Sequence, residues 1–289
     1  MRAFPAALLL CVLGLCPPRA VVGQSTRLLD GPDGYPFRPP LASAIEPGTR
    51  LAPVRIHRGS EHRTVGLANF GDAFAVWLSR GSRDDSGAAR PVPPSPPDRS
   101  LRLAIGLAGG AFARFDLQSR NNEFREAHFR VGLQLRAGWR GLAARAELYH
   151  VSSHLGDEYM VRTGALPHST SREGVEILVQ GSPLHGLILY GGPGSIVRSK
   201  RNFVAASVRA GFDWEPTGVR WGPFAPYAGV EAFSWAELGW DPILSGQAGV
   251  RFGGGRFRLG LDGGAGPSRA EQFWRQNETL LGVVFTLVH

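Results

Sequence analysis

Three features are scarce in this sequence of 289 residues. It has two cysteines, Cys11 and Cys16, so the chain beyond residue 16 has no disulfide or thiolate chemistry. Its single lysine is Lys200, and its other cations are arginines spread among acidic residues rather than clustered, which argues against nucleic acid as a partner. After the N-terminus, no stretch has the roughly 18 consecutive apolar residues of a transmembrane helix.

The N-terminus has the features of an export signal. Arg2 precedes an apolar run at residues 4–16, and small residues follow around position 20. A charged start, a short apolar middle and a small-residue exit are typical of a secretory signal. We therefore predict a signal peptide over residues 1–23, an N-terminal extension over 24–49 and one domain over 50–289. A Pro-rich loop is expected at residues 81–99.

Apolar and polar residues alternate through the rest of the chain. From residue 126 to 137 the odd positions are apolar, and most of the even positions are charged or polar. This period of two indicates strands with one apolar face and one polar face. We predict twelve strands, near residues 52–57, 64–79, 101–114, 124–137, 140–153, 172–182, 186–197, 203–213, 224–235, 244–253, 256–264 and 280–288.

Alternation alone fits a secreted sandwich as well as a barrel. The polar face here mixes arginines with acids, which can form ion ladders across a narrow lumen. The tryptophans fall into two groups at opposite strand ends, where two interfacial girdles would lie. These groups are Trp139, Trp214 and Trp221, and Trp235, Trp240 and Trp274. We predict an all-β, antiparallel outer-membrane β-barrel of about twelve strands, with ten as the alternative, in the bacterial outer membrane.

Loop lengths give an internal test of this topology. If the last strand ends in the periplasm, the tight turns near Gly138, Leu184 and Gly254 are periplasmic, and the long loop at residues 154–171 is extracellular. Bacterial barrels prefer this arrangement. The Pro-rich segment at residues 90–98 is the exception, because it is long and falls on the periplasmic side.

One cluster near a strand end has catalytic character. His150 and Ser152 are two residues apart, so they project from the same, lipid-facing side of their strand. Glu173 lies on the corresponding side of the next strand. A hydroxyl nucleophile, an imidazole base and an acidic group that orients the base would then lie together near the outer leaflet. Backbone amides of residues 153–156 are expected to supply the oxyanion site.

Two other groups of residues invite a ligand interpretation. His154, Asp157 and Glu158 are candidate metal ligands, since carboxylates suit calcium and imidazole suits transition metals. The alternative for them is a solvated loop. Glycines 191, 192 and 194 lack the Gly-Lys-Ser/Thr ending of a phosphate-binding loop, so we interpret them as glycines of a curved strand.

Local motifs carry two resemblances. The His150-x-Ser152 pair resembles the arrangement in outer-membrane phospholipase A and in the lipid A deacylase barrels. That resemblance implies cleavage of acyl esters by Ser152 and His150, with Glu173 in the third role. Residues 37–47 (FRPPLASAIEP), 115–123 (FDLQSRNNE) and 149–159 (YHVSSHLGDEY) are similar to a family of bacterial envelope proteins known only as a domain of unknown function (family 1207).

Two functions of different classes follow from these observations. The first is an outer-membrane barrel with a structural role or a narrow lumen, surrounded by outer-membrane lipids. The second is a lipid-acyl hydrolase with a Ser-His-acid site on the barrel exterior. No cofactor is required by either, calcium is retained as a candidate ligand, and formation of a homodimer is left open.

Overall fold

The computed structural model describes residues 36–79, 101–139, 141–168, 170–200 and 206–288. These residues form a closed barrel of twelve strands, in which each strand pairs antiparallel with its sequence neighbours and β1 pairs with β12. The prediction of a twelve-stranded antiparallel barrel is therefore confirmed. The predicted signal peptide and Pro-rich loop lie outside the described residues.

The strands match the predicted ones closely in position. They are β1 (Thr49–Arg58), β2 (Glu61–Leu78), β3 (Arg102–Asp116), β4 (Glu123–Trp139), β5 (Leu142–Leu155), β6 (Arg172–Leu184), β7 (Leu187–Ser199), β8 (Ala206–Trp214), β9 (Ala225–Trp235), β10 (Ile243–Phe252), β11 (Phe257–Pro267) and β12 (Asn277–Leu287). The alternation of residue type thus located each strand, because side chains on opposite faces of a barrel wall meet different surroundings.

The apolar face of the strands points outward. On β4, Phe129, Val131 and Leu133 are exposed, whereas Arg130 and Gln134 on the alternate positions are buried in the lumen. This is the reverse of a soluble sandwich and is the pattern of a barrel with a lipid-facing exterior. The two tryptophan groups also lie at opposite barrel ends, as predicted, since Trp139 ends β4 and Trp235 ends β9.

The segment before β1 enters the lumen. Residues 36–48, which we call the plug, precede β1 and pack inside the barrel. Phe37 is fully buried against Ala143, Leu178 and Ile188 of the barrel wall. The backbone amide of Leu41 donates hydrogen bonds to both carboxylate oxygens of Asp213, at 3.2 and 3.1 Å. The sequence analysis did not predict that this segment would enter the barrel.

A network of ion pairs ties the plug to the wall. Arg145 donates to both oxygens of Glu46, at 2.7 and 2.6 Å, and Arg209 Nη1 donates to Glu46 Oε1 at 3.0 Å. Both arginines also bind Glu176 on the wall, at 2.9 Å. Burial of these charges is tolerable because each has an opposite charge at hydrogen-bond distance. The predicted ladder of ions is therefore present, with the plug as one of its members.

The glycines of β7 are strand glycines, as predicted. Gly192 lies so close to β6 that a Cβ atom on it would approach the Ile177 carbonyl oxygen to 1.9 Å. The close contact explains why the run at residues 191, 192 and 194 has no side chains.

Helical structure is sparse but present in the long loop. Helix α1 (Asp157–Thr163) follows β5, and it begins with Asp157 and Glu158, whose negative charges suit the positive end of a helix dipole. We did not predict this helix. In the part of the chain that is described, no helix has the length and apolar character needed to cross a membrane.

Candidate functional site

The end of β5 that leads into α1 carries polar residues on its outer face. Leu142 and Leu148 are exposed on this face nearer the other end, and His150 and Ser152 continue the same face toward Leu155. Arg145, Glu147 and Tyr149 point the other way and are buried in the lumen. His150 and Ser152 therefore lie on the exterior, as the period of two predicts.

Glu173 is brought directly beside His150. The two residues are cross-strand partners in the pairing of β5 with β6, and His150 Nδ1 lies 3.9 Å from Glu173 Oε1. The side chains are 43% and 40% exposed. The distance is longer than a hydrogen bond, so the two side chains are neighbours without a direct hydrogen bond.

A third charged residue extends this arrangement by one strand. Arg198 on β7 is the cross-strand partner of Glu173, and its Nη1 lies 3.7 Å from Glu173 Oε1. We call His150, Glu173 and Arg198 the outer row. The sequence analysis missed Arg198, although its position on β7 could have been found by extending the strand pairing from Glu173.

The two adjacent serines have different environments. Among the described residues, Ser152 makes no hydrogen bond through its hydroxyl. Ser152 lies on the outer face of β5, and its neighbours Val151 and Ser153 lie on the face that points to the lumen. Ser153 points the other way, contacts the Thr170 hydroxyl and accepts a hydrogen bond from Gln272 Nε2 at 2.6 Å. Ser152 is therefore free to meet a molecule outside the barrel, and Ser153 holds two loops together.

The backbone amides of residues 153–156, which were expected to form the oxyanion site, are partly used by other hydrogen bonds. The amide of Gly156 donates to the Arg125 carbonyl oxygen at 2.9 Å. Residues 153–155 belong to β5, where they pair with residues 126–128 of β4. The described residues therefore do not present the 153–156 amides as an open cluster of donors, because the neighbouring strand uses part of this hydrogen-bonding capacity.

An open groove runs along the exterior beside His150 and Ser152. Phe70, Phe129 and Val131 line its sides, and small residues at positions 109–111 of β3 form its floor. Gly109 and Ala111 are on the outward face, as the cross-strand partners of Val131 and Phe129. The absence of large side chains on β3 creates the depression.

The candidate metal ligands lie on two different elements, with His154 on β5 and Asp157 and Glu158 on α1. His154 is exposed on the outer face and packs edge-on against Phe129, with ring centroids 6.1 Å apart. Asp157 and Glu158 are exposed in the first turn of α1. Within the ranges that the model describes, no three His, Cys, Asp or Glu side chains are grouped closely enough to hold a metal ion. The prediction that His154, Asp157 and Glu158 bind a metal together is therefore not supported by the geometry.

Family and structural comparisons agree with this barrel. The model of the family "Protein of unknown function (DUF1207)" matches residues 98–287. No curated protein gives a significant sequence match.

Solved structures of outer-membrane phospholipase A have the same overall fold. The Escherichia coli enzyme is 12% identical, with a TM-score of 0.53, and the match covers 91% of this chain and 96% of that one. An active-site mutant of the E. coli enzyme is 13% identical and has a TM-score of 0.56, with the same coverage. The Salmonella typhi enzyme, a dimer with bound calcium, is 12% identical and has a TM-score of 0.53, again over 91% and 96% of the chains. At these identities the likeness shows the fold alone.

Proposed function

We propose that this chain, which belongs to the DUF1207 family of proteins of unknown function, is a bacterial outer-membrane hydrolase that cleaves acyl esters of lipids at Ser152. One observation carries the proposal. His150 and Glu173 are partnered across two strands on the lipid-facing side, with Ser152 two residues from His150 on the same face. A carboxylate, an imidazole and a hydroxyl on one face are the three groups that activate a serine nucleophile.

The position of the site supports a lipid substrate. Polar groups on the outer face of a barrel meet lipid or its headgroups, whereas the lumen is filled by the plug. The groove floored by Gly109 and Ala111 begins beside Ser152 and suits an acyl chain, because it is lined by apolar and small residues. The phospholipase A structures have the same fold, which is compatible with such a site without demonstrating it.

The proposed reaction proceeds in two halves. His150 accepts the Ser152 proton as Ser152 Oγ attacks the ester carbonyl carbon, and the imidazolium returns that proton to the leaving alcohol as the C–O bond breaks. Water then attacks the acyl-serine, giving a proton to His150. Ser152 Oγ takes this proton when the fatty acid leaves. Glu173 faces Nδ1 of His150 and stabilises the positive imidazolium in both halves.

The proposed reaction requires neither calcium nor a dimer, and both can be tested by experiment. The S. typhi phospholipase structure is a dimer with bound calcium. The described residues of this chain supply no cluster of acidic or histidine ligands, so no step of the reaction is assigned to a metal. Homodimer formation can be measured by the molar mass of the protein in detergent, and calcium dependence by adding a chelator to the assay.

A direct test is release of fatty acid from phospholipid in mixed micelles. We expect release by the wild-type protein and a loss of about 100-fold or more in Ser152→Ala and His150→Ala, because removing a nucleophile or its base costs orders of magnitude in rate. Ser153→Ala is the matched control, since it removes a neighbouring hydroxyl from the opposite face. Equal release of fatty acid by the wild type and the three variants would refute the hydrolase proposal.

The second candidate is a sealed barrel with a structural role. The observation that favours it is the plug, whose Glu46 is held by two wall arginines inside the lumen. A sealed lumen predicts no steady ionic current across a planar bilayer. Absence of current, together with absence of fatty-acid release in the micelle assay, would support the structural role. A steady current would exclude a sealed barrel.

A further inference from the structure

Arg198 is an unusual residue for the exterior of a barrel. Its side chain is 79% exposed, and Glu173 is 3.7 Å away. A guanidinium that faces the apolar core of a membrane is costly, and the cost falls to about 0–1 kcal/mol near the interfaces. Arg198 is the penultimate residue of β7, so its long side chain can extend to the headgroup layer.

A second cation lies beside it. Lys200 follows the end of β7, is exposed, and is the single lysine of the sequence. Its backbone amide donates to the Ser171 carbonyl oxygen at 3.3 Å, immediately before β6 begins at Arg172. This contact holds Lys200 at the same end of the barrel as Glu173. Arg198 and Lys200 therefore lie two residues apart at the end of the barrel that carries Glu173.

From this placement we infer that Arg198 and Lys200 bind the phosphate of the lipid whose ester is cleaved at Ser152. The inference rests on the proposed function and names its substrate class, a lipid that carries a phosphate group. A guanidinium offers a planar pair of donors to phosphate oxygens, and an ammonium adds a point charge.

The spacing along the outer row fits one lipid molecule. Neighbouring strands are about 4.8 Å apart, so β7 lies roughly 10 Å from β5 across the barrel wall. The Arg198 side chain spans part of that distance toward Glu173. A headgroup bound at Arg198 and Lys200 would leave the ester near Ser152 and the acyl chain near the groove beside Phe129.

A simpler role for Arg198 would be to pair with Glu173 and nothing else. That role predicts no preference for phosphate in the ligand. It also predicts no contribution from Lys200, for which no ion pair is present among the described residues. Binding measurements on a protein without the Ser152 nucleophile separate these two roles from each other and from catalysis.

The experiment uses the full-length protein with Ser152→Ala, in detergent, and two short-chain lipids titrated by calorimetry. Dihexanoyl phosphatidic acid carries a phosphate, and dihexanoylglycerol lacks it. We expect the phosphate lipid to bind at least about tenfold more tightly, since a charge-assisted bond contributes more than one neutral hydrogen bond. In the Ser152→Ala protein, the further substitutions Arg198→Ala and Lys200→Ala should remove the difference in affinity between the two lipids.

Arg275→Ala is the matched control, because Arg275 is also exposed, at 69%, and paired with a carboxylate, Glu237, at 3.2 Å. It should leave the preference unchanged. Equal binding of the two lipids, or a preference that survives loss of Arg198 and Lys200, would overturn the inference. If inorganic phosphate binds as tightly as the phosphate lipid, the conclusion that the site recognises a lipid phosphate would be wrong. Absence of fatty-acid release, in contrast, would count against the hydrolase and leave the binding result intact.

Discussion

Glu46 and Arg145 form a bidentate ion pair inside the barrel although they are 99 residues apart in sequence, with N–O distances of 2.7 and 2.6 Å. Glu46 belongs to the plug and Arg145 to β5, so this pair connects a segment without regular structure to the wall. Arg209 contacts the same carboxylate, which makes Glu46 one of the points at which the plug is anchored.

The first prediction concerns this anchor. Glu46→Gln keeps the volume but removes the charge that two buried arginines face. We expect a loss of about 3 kcal/mol in the free energy of unfolding, since breaking a buried ion pair leaves an uncompensated charge. Urea unfolding in detergent micelles measures it. Glu237→Gln, in the pair with the exposed Arg275, should cost about 0–1 kcal/mol. Similar losses in both variants would contradict the assignment of Glu46 as the anchor.

The second prediction concerns pH. Glu215 follows β8, at the end of the barrel where the plug begins. Its burial opposes ionisation, but Arg38, Arg258 and Arg251 outweigh burial and lower the pKa of Glu215 from 4.5 to about 2. A lowered pKa stabilises the fold above pH 4.5, and this contribution disappears as the pH falls toward 2.

Unfolding of the wild type and of Glu215→Gln between pH 6 and pH 2 tests this sign. The wild type should be more stable at pH 6, by roughly 3 kcal/mol at most, and the difference should shrink as acid is added. A constant difference, or one that grows as the pH falls, would show that the carboxylate charge is not what stabilises this end of the barrel.

The third prediction concerns strand packing. Gly192→Ala would place a Cβ atom 1.9 Å from the Ile177 carbonyl oxygen, so β6 and β7 would have to separate. We expect a loss of about 1–3 kcal/mol or more, together with a lower yield of folded barrel. Gly246→Ala is the control, because its Cβ would have its nearest neighbour at 3.8 Å. If the two variants fold equally well, the packing at Gly192 is not limiting.

The fourth prediction concerns Glu173 in the proposed hydrolase. Glu173→Gln preserves the shape of the side chain beside His150 but removes the charge that stabilises the imidazolium. The kcat should fall by about tenfold or more with KM little changed, because the charge acts when His150 is protonated. Steady-state kinetics on a soluble short-chain lipid measures both constants. A change in KM alone would assign Glu173 to substrate binding.

The candidate site was partly predictable from the sequence. His150 and Ser152 share a face because a strand has a period of two, and Glu173 could be placed beside them by pairing one strand with the next. The groove at Gly109 and Ala111 was not predictable, since it depends on residues from four different strands. The sequence analysis also did not show that β5 ends at Leu155 and that a helix begins at Asp157, so that His154 lies on a strand and Asp157 and Glu158 lie on a helix.

The sequence by itself determined a barrel of about twelve strands and the face to which the strand side chains point. Lipid-facing and lumen-facing positions differ in polarity at every second residue, so this information is local. Only the tertiary structure decided that residues 36–48 occupy the lumen and that Glu46 meets Arg145 and Arg209. Those contacts join residues 99 and 163 positions apart, and their partners are set by the closure of the whole barrel rather than by any local pattern.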